Sequence, residues 1–160
     1  MKNCELIIRY KEYSKSELSE EYKKFIETAI EAAQNAYSPY SKFKVGVCLE
    51  LSDGTLLKGN NQENAAYPSG LCAERVAVFY ANANFPNLYI KTLTIVALDE
   101  NNQLINELIS PCGSCRQVIA ESEYRYNKNI KILLAGKTVL EFNSVNDLLP
   151  FVFCKEIINK

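Results

Sequence analysis

Residues 43–51 carry apolar side chains at every second position, Phe43, Val45, Val47, Leu49 and Leu51, with Ser-Asp-Gly immediately after them. Alternation at period two sends one set of side chains to one side of a strand, and a Ser-Asp-Gly triplet supplies the turn. Residues 55–60, Thr-Leu-Leu-Lys-Gly-Asn, then read as the returning strand. A β-hairpin near the middle of the chain needs partners that cover both of its faces, and the flanking sequence provides them.

Before the hairpin, Tyr22, Phe25, Ile26, Ala29, Ile30 and Ala33 recur at helical spacing from about Leu18 onward. Ser14, Ser16 and the glutamates after them suit the start of that helix. Pro39 ends it, because proline lacks an amide donor and restricts the residue before it. After the hairpin, a helix is expected from about Leu71 to Ala83, then a buried strand in "KTLTIVAL" and a turn in "DENNQ". A further helix is expected from about Cys112 to Glu121. "IKILLA" and "TVLEF" read as two strands joined around Gly136-Lys137, and "SVNDLLPFVF" as a short helix stopped by Pro150. "CELIIRY", near the N-terminus, reads as a further short strand. The pattern indicates an α/β fold, a three-layer α/β/α sandwich around a mixed sheet of about five strands.

The 160 residues, 48% of them hydrophobic, suit one compact domain with a substantial core. A formal net charge of −1, with lysines and arginines dispersed among acids, gives no electrostatic support for a nucleic-acid surface. "MKNCELIIRYKEYSKSE" lacks the apolar core and cleavage site of a secretory signal. No stretch approaches the ~20 apolar residues that a membrane span needs. A cytoplasmic protein that contacts no membrane is therefore expected, and there six cysteines read as metal-binding, catalytic or buried thiols rather than disulfides. Cys4, Cys48 and Cys154 stand alone among apolar neighbours and read as small hydrophobes.

The remaining three cysteines lie at predicted helix starts. Cys112-Gly-Ser-Cys115 alone is ambiguous between a redox pair and half of a zinc site. Cys72 adds a third thiolate, and three protein ligands leave a tetrahedral zinc one position for water. With no histidine in the chain, closing that position would require one of the isolated cysteines. Glu74, two residues from Cys72, reads in isolation as an ordinary first-turn glutamate favoured by the helix dipole. Beside an open zinc it gains a second reading: the metal acidifies a water, and the carboxylate carries the proton. Three thiolates on a divalent ion and an ionised Glu74 sum to −2, an excess that Arg75, Arg116 and the two helix ends are placed to offset.

"CAER" followed by "PCGSCRQVI", with "YSPYSKFKVGV", "GNNQENAAYPSGLCAER" and "DLLP", resembles the small zinc-dependent cytidine deaminases of the cytidine/deoxycytidylate deaminase superfamily. The resemblance runs from about Ser19 to Phe153. It implies that Cys72, Cys112 and Cys115 hold Zn²⁺ and that Glu74 moves protons from water to the pyrimidine N3 and then to the departing amine. It implies hydrolysis of free cytidine and deoxycytidine to uridine and deoxyuridine plus ammonia. Phe43 would pack on the base, Asn61 and Glu63 would bond the ribose, and backbone near Ala65 and Ser110 would read the base edge. Each has a plainer alternative: Phe43 as core, the polar pair as a solvated loop.

The resemblance further implies a homotetramer, with Phe153 reaching into a neighbour's pocket. Residues 1–18 have no counterpart in compact members and form an extension to a catalytic domain at 19–160, adding an edge strand or a subunit contact. Three other readings remain: a deaminase for another aminopyrimidine, a redox protein using Cys112 and Cys115, and a non-catalytic zinc module.

Overall fold

A computed structural model describes residues 1–154 and Ile158. Its strands are β1 (Lys11–Tyr13), β2 (Lys44–Leu51), β3 (Leu56–Asn60), β4 (Ile90–Leu98), β5 (Lys131–Ala135) and β6 (Val139–Phe142). Its helices are α1 (Glu20–Gln34), α2 (Ala73–Asn84) and α3 (Gly113–Tyr126). The strands form one six-stranded sheet in the order β1-β6-β5-β4-β2-β3. β4 and β5 run parallel and every other neighbouring pair is antiparallel, so the sheet is mixed as expected.

Consecutive residues of the central strands serve opposite faces. Val47 and Leu49 join one core with Ala73, Ala77 and Val78 of α2 and Ile119 of α3, while Cys48 between them joins a second core with Phe25, Ala29 and Ala33 of α1. Ile132 and Leu133 of β5 divide in the same way. The result is the expected three-layer α/β/α sandwich, with α1 on one side and α2 and α3 on the other. Ser19 starts α1, its side chain accepting from the Tyr22 amide at 3.2 Å.

Four expectations are corrected. The N-terminal strand is not "CELIIRY" but Lys11–Tyr13, which pairs with β6 and makes the sixth strand. Its place is set by side chains: Lys11 Nζ, Tyr13 Oη and Tyr22 Oη donate to the buried Glu141 carboxylate of β6 at 2.9, 3.1 and 2.6 Å. Helix α3 runs beyond Glu121 to Tyr126, where Asn127 closes it in the left-handed conformation. Within residues 144–153, the expected short helix is a single 3₁₀ turn at Val145–Asp147. Cys48 is buried as expected, but Cys4 is exposed and Cys154 half-buried.

The topology places the site. β3 and β4 are both antiparallel to β2, so they run in the same direction. The helices that follow them, α2 and α3, therefore begin at the same end of the sheet.

Candidate active site

Cys72 and Cys112 are the residues that cap the starts of α2 and α3, and Cys115 lies in the first turn of α3. The Cys72 and Cys112 sulfurs are 3.7 Å apart, those of Cys112 and Cys115 are 3.4 Å apart, and all three lie within 4.8 Å of one another. A tetrahedral zinc with Zn–S bonds of about 2.3 Å needs sulfurs ~3.8 Å apart. The triangle fits that ion. The positive ends of two helix dipoles face it and favour thiolate. The Cys72 thiol is lowered to about 5, chiefly by a hydrogen bond with Cys115 and then by Arg75. Cys115 is pushed up by sharing that bond and by burial.

Glu74 is 5% exposed. Burial raises its carboxyl, with a smaller push from the Cys72 charge and an opposing hydrogen bond with Cys115. The carboxyl therefore lies against the sulfur cluster and binds a proton more readily than an exposed glutamate. Arg75 Nη2 approaches the Cys72 sulfur at 3.9 Å, while its Nε is buried with no hydrogen-bond partner among the described residues. Arg116 is occupied elsewhere: it donates to the carbonyls of Pro111 and Leu148, both at 2.8 Å, and to Ser110 Oγ at 2.9 Å. Its guanidinium braces the segment that delivers Cys112, in place of the expected contact with the sulfurs.

A cleft of about 500 Å³ opens beside this cluster, lined by Cys72 and Arg75 and by Tyr40, Asn61, Glu63 and Tyr67 among others. Three chain segments build it. Residue 62 exchanges backbone hydrogen bonds with Leu71, while the Tyr37 amide donates to Asn61 O and the Glu63 amide to Tyr37 O. The Asn61 side chain clamps the entry to β2, accepting from Val45 N at 2.8 Å and donating to Phe43 O at 2.9 Å. One amide hydrogen and one lone pair are left over. Glu63 accepts from the amides of Tyr40 and Ser41 and from the Ser41 hydroxyl, which holds its carboxyl below the usual range.

Among the described residues, Phe43, Ala65 and Phe153 do not line the cleft. Phe43 is half-buried and belongs to neither core cluster. Ala65 is exposed in the loop after Glu63. Phe153 is 59% exposed, and its carbonyl accepts from Gln117 Nε2 at 2.7 Å. Tyr40 and Ser41 were not singled out from the sequence, although "SPYS" lies only a few residues from Phe43. The Tyr40 and Tyr67 rings meet at 5.9 Å beside the cleft.

A zinc-compatible sulfur triangle at paired helix starts on an α/β/α sandwich, beside an open cleft, marks a candidate zinc centre. The family model for the cytidine and deoxycytidylate deaminase zinc-binding region matches residues 19–128, and this chain belongs to that family. A cytidine deaminase from Sporosarcina psychrophila is 42% identical over 134 residues, covering 83% of this chain and 91% of the relative. One from Halalkalibacterium halodurans is 37% identical, covering 84% and 95%. The crystal structure of cytidine deaminase from Burkholderia pseudomallei superimposes with a TM-score of 0.69 at 35% identity, covering 82% of this chain and 98% of that one. The chain is a hydrolytic deaminase with a zinc cofactor. No helix among the described residues is long and apolar enough to cross a membrane.

Proposed function

We propose that this chain deaminates free cytidine and deoxycytidine to uridine and deoxyuridine, in pyrimidine salvage in the cytoplasm. The observation that carries the reading is the buried Glu74 carboxyl beside Cys115 of a zinc-compatible sulfur triangle, whose Cys72 lines an open cleft. Water adds at C4, the C4–N4 bond breaks, and ammonia leaves. Cys72, Cys112 and Cys115 would hold the zinc, which acidifies the attacking water when bound. Glu74 takes the proton of that water and delivers it to N3, then transfers a second proton to the departing amine. Burial favours this, because it brings the carboxyl's proton affinity closer to neutrality.

Asn61 and Glu63 bind the ribose in this reading. Asn61 has a spare amide hydrogen, and Glu63 has a free acceptor site for a sugar hydroxyl. Phe43 would stack on the base, and backbone near Ala65 would read the base edge. Arg75 offsets the thiolate charge, and Arg116 supports zinc binding by fixing the Cys112 segment. The relatives that share the fold are named for cytidine, and the dispersed charge of this chain favours a free nucleoside over a nucleic-acid strand. The exposed Phe153 supports a homotetramer in which each tail completes a neighbour's site, with residues 19–160 as the catalytic domain and 1–18 as an extension.

The test is ammonia release from cytidine by the zinc-loaded protein, with Glu74→Ala measured alongside. Release that collapses in the variant while zinc stays bound is the expected result. No release from cytidine or deoxycytidine, at one zinc per chain, overturns the substrate assignment and turns the search to other aminopyrimidines.

A further inference from the structure

Residues 4–9 form no ladder with any described segment of their own chain, although their sequence is that of a strand. Leu6, Ile7, Ile8 and Tyr10 are all exposed, Ile7 by 67%. The reason lies in the neighbouring pairing. Lys11 stands opposite Glu141 in the β1–β6 ladder, so Tyr10 comes level with Phe142, and their rings meet at 5.5 Å. β6 ends at Phe142. Beyond it, residues 4–9 run off the sheet as an apolar arm whose backbone has no partner strand.

We infer that this arm pairs antiparallel with the same arm of a second copy of the chain, on a two-fold axis through Ile7. The charges select that register. With Ile7 opposite Ile7, Glu5 faces Arg9 of the second copy and Arg9 faces its Glu5, so both charges of the segment are paired. On the other side of the ribbon, Leu6 faces Ile8, and Cys4 faces Tyr10. A shift by two residues in either direction leaves a charge opposite an apolar side chain. The Leu6, Ile8 and Tyr10 side is the one that Tyr10 turns toward Phe142, so the paired arms would lay their apolar side on the protein body. A two-stranded ribbon alone is marginal in water, and that contact is what stabilises it. Pairing also removes the aggregation hazard of an exposed apolar strand.

The test uses the full zinc-loaded chain carrying Cys4→Ser and Ile7→Cys, oxidised with glutathione disulfide and analysed without reductant. Opposed positions in such a pair lie ~5 Å apart, within reach of a disulfide after a small adjustment. The expected result is covalent dimer forming roughly 100-fold faster than in an Asp53→Cys control, because pairing replaces a micromolar encounter by a millimolar effective concentration. Adding Glu5→Arg should slow the reaction toward the control, and Glu5→Arg with Arg9→Glu should restore it. A rate equal to the control, indifference to the charge reversal, or faster coupling in Glu12→Cys than in Ile7→Cys overturns the inference. The cross-link reports contact between arms whatever other surfaces the copies share, and ammonia release tests the catalytic proposal separately.

Discussion

Cys72 and Cys112 are 40 positions apart in the chain, yet their sulfurs lie 3.7 Å apart. That contact exists because two parallel strands deliver two helix starts to the same end of the sheet, and a metal at the contact ties α2 to α3. Cys112→Ser should therefore lose stoichiometric zinc, measured by atomic absorption, because a serine oxygen is a poor substitute for thiolate. Its thermal stability should no longer respond to a chelator, whereas the wild type loses the stabilisation that bound zinc contributes. Cys48→Ser is the control: that thiol is buried in the α1 core, so the variant should lose about 1–3 kcal/mol of stability and keep its zinc.

Gly59 of β3 connects the sheet to the site. A Cβ there would lie 2.7 Å from the Ala73 carbonyl oxygen and 2.7 Å from Ala77 Cβ, both in α2. Gly59→Ala should push the first turn of α2 outward, taking Cys72 and Glu74 with it. Overpacking of this kind costs about 1–3 kcal/mol, readable by urea denaturation. Displacing Glu74 by ~1 Å should lower kcat for ammonia release by roughly 100-fold. A stability loss with unchanged kcat would show that α2 yields elsewhere.

Arg116 makes three donations in fixed directions, to Pro111 O, Leu148 O and Ser110 Oγ. A lysine ammonium cannot reproduce that fork. Arg116→Lys should loosen the segment before Cys112 and weaken zinc binding by roughly 10-fold, read by competition with a chromogenic chelator. Arg75→Ala acts by charge, since its guanidinium lies 3.9 Å from the Cys72 sulfur. Its effect on zinc affinity should shrink as salt is raised, and that of Arg116→Lys should not.

The parts legible in the sequence share a cause. The helices and central strands follow local periodicity, and the cysteines and Glu74 carry their chemistry in short spacings at helix starts. What was hidden depends on partners distant in the chain. Arg116 reads as a charge beside sulfurs until Leu148, 32 positions away, captures it. "CELIIRY" is the better strand by composition, yet the strand forms at Lys11–Tyr13, where Lys11 and Tyr13 reach Glu141. Asn61 reads as a free polar loop residue, but its amide holds the backbone of Phe43 and Val45. No window of sequence contains those acceptors.

Glu141 makes the attachment of β1 dependent on pH. Burial alone would raise its carboxyl, but hydrogen bonds from Tyr22, Lys11 and Tyr13 outweigh burial and hold it below the ordinary value of 4.5. A carboxyl lowered in the folded state stabilises fully above its unfolded value, and that contribution is lost as pH falls through the folded value. β1 should therefore stay paired with β6 near neutrality and detach below the ordinary carboxylate range, while the central sheet stays protected. Hydrogen exchange of residues 11–13, corrected for the intrinsic rate at about pH 6 and about pH 3, measures this. Glu141→Gln should exchange rapidly at both pH values, because a neutral amide retains part of the geometry but none of the charge that Lys11 answers. Equal protection of wild-type β1 at the two pH values would show that the strand is held by its backbone ladder alone, with the carboxylate incidental.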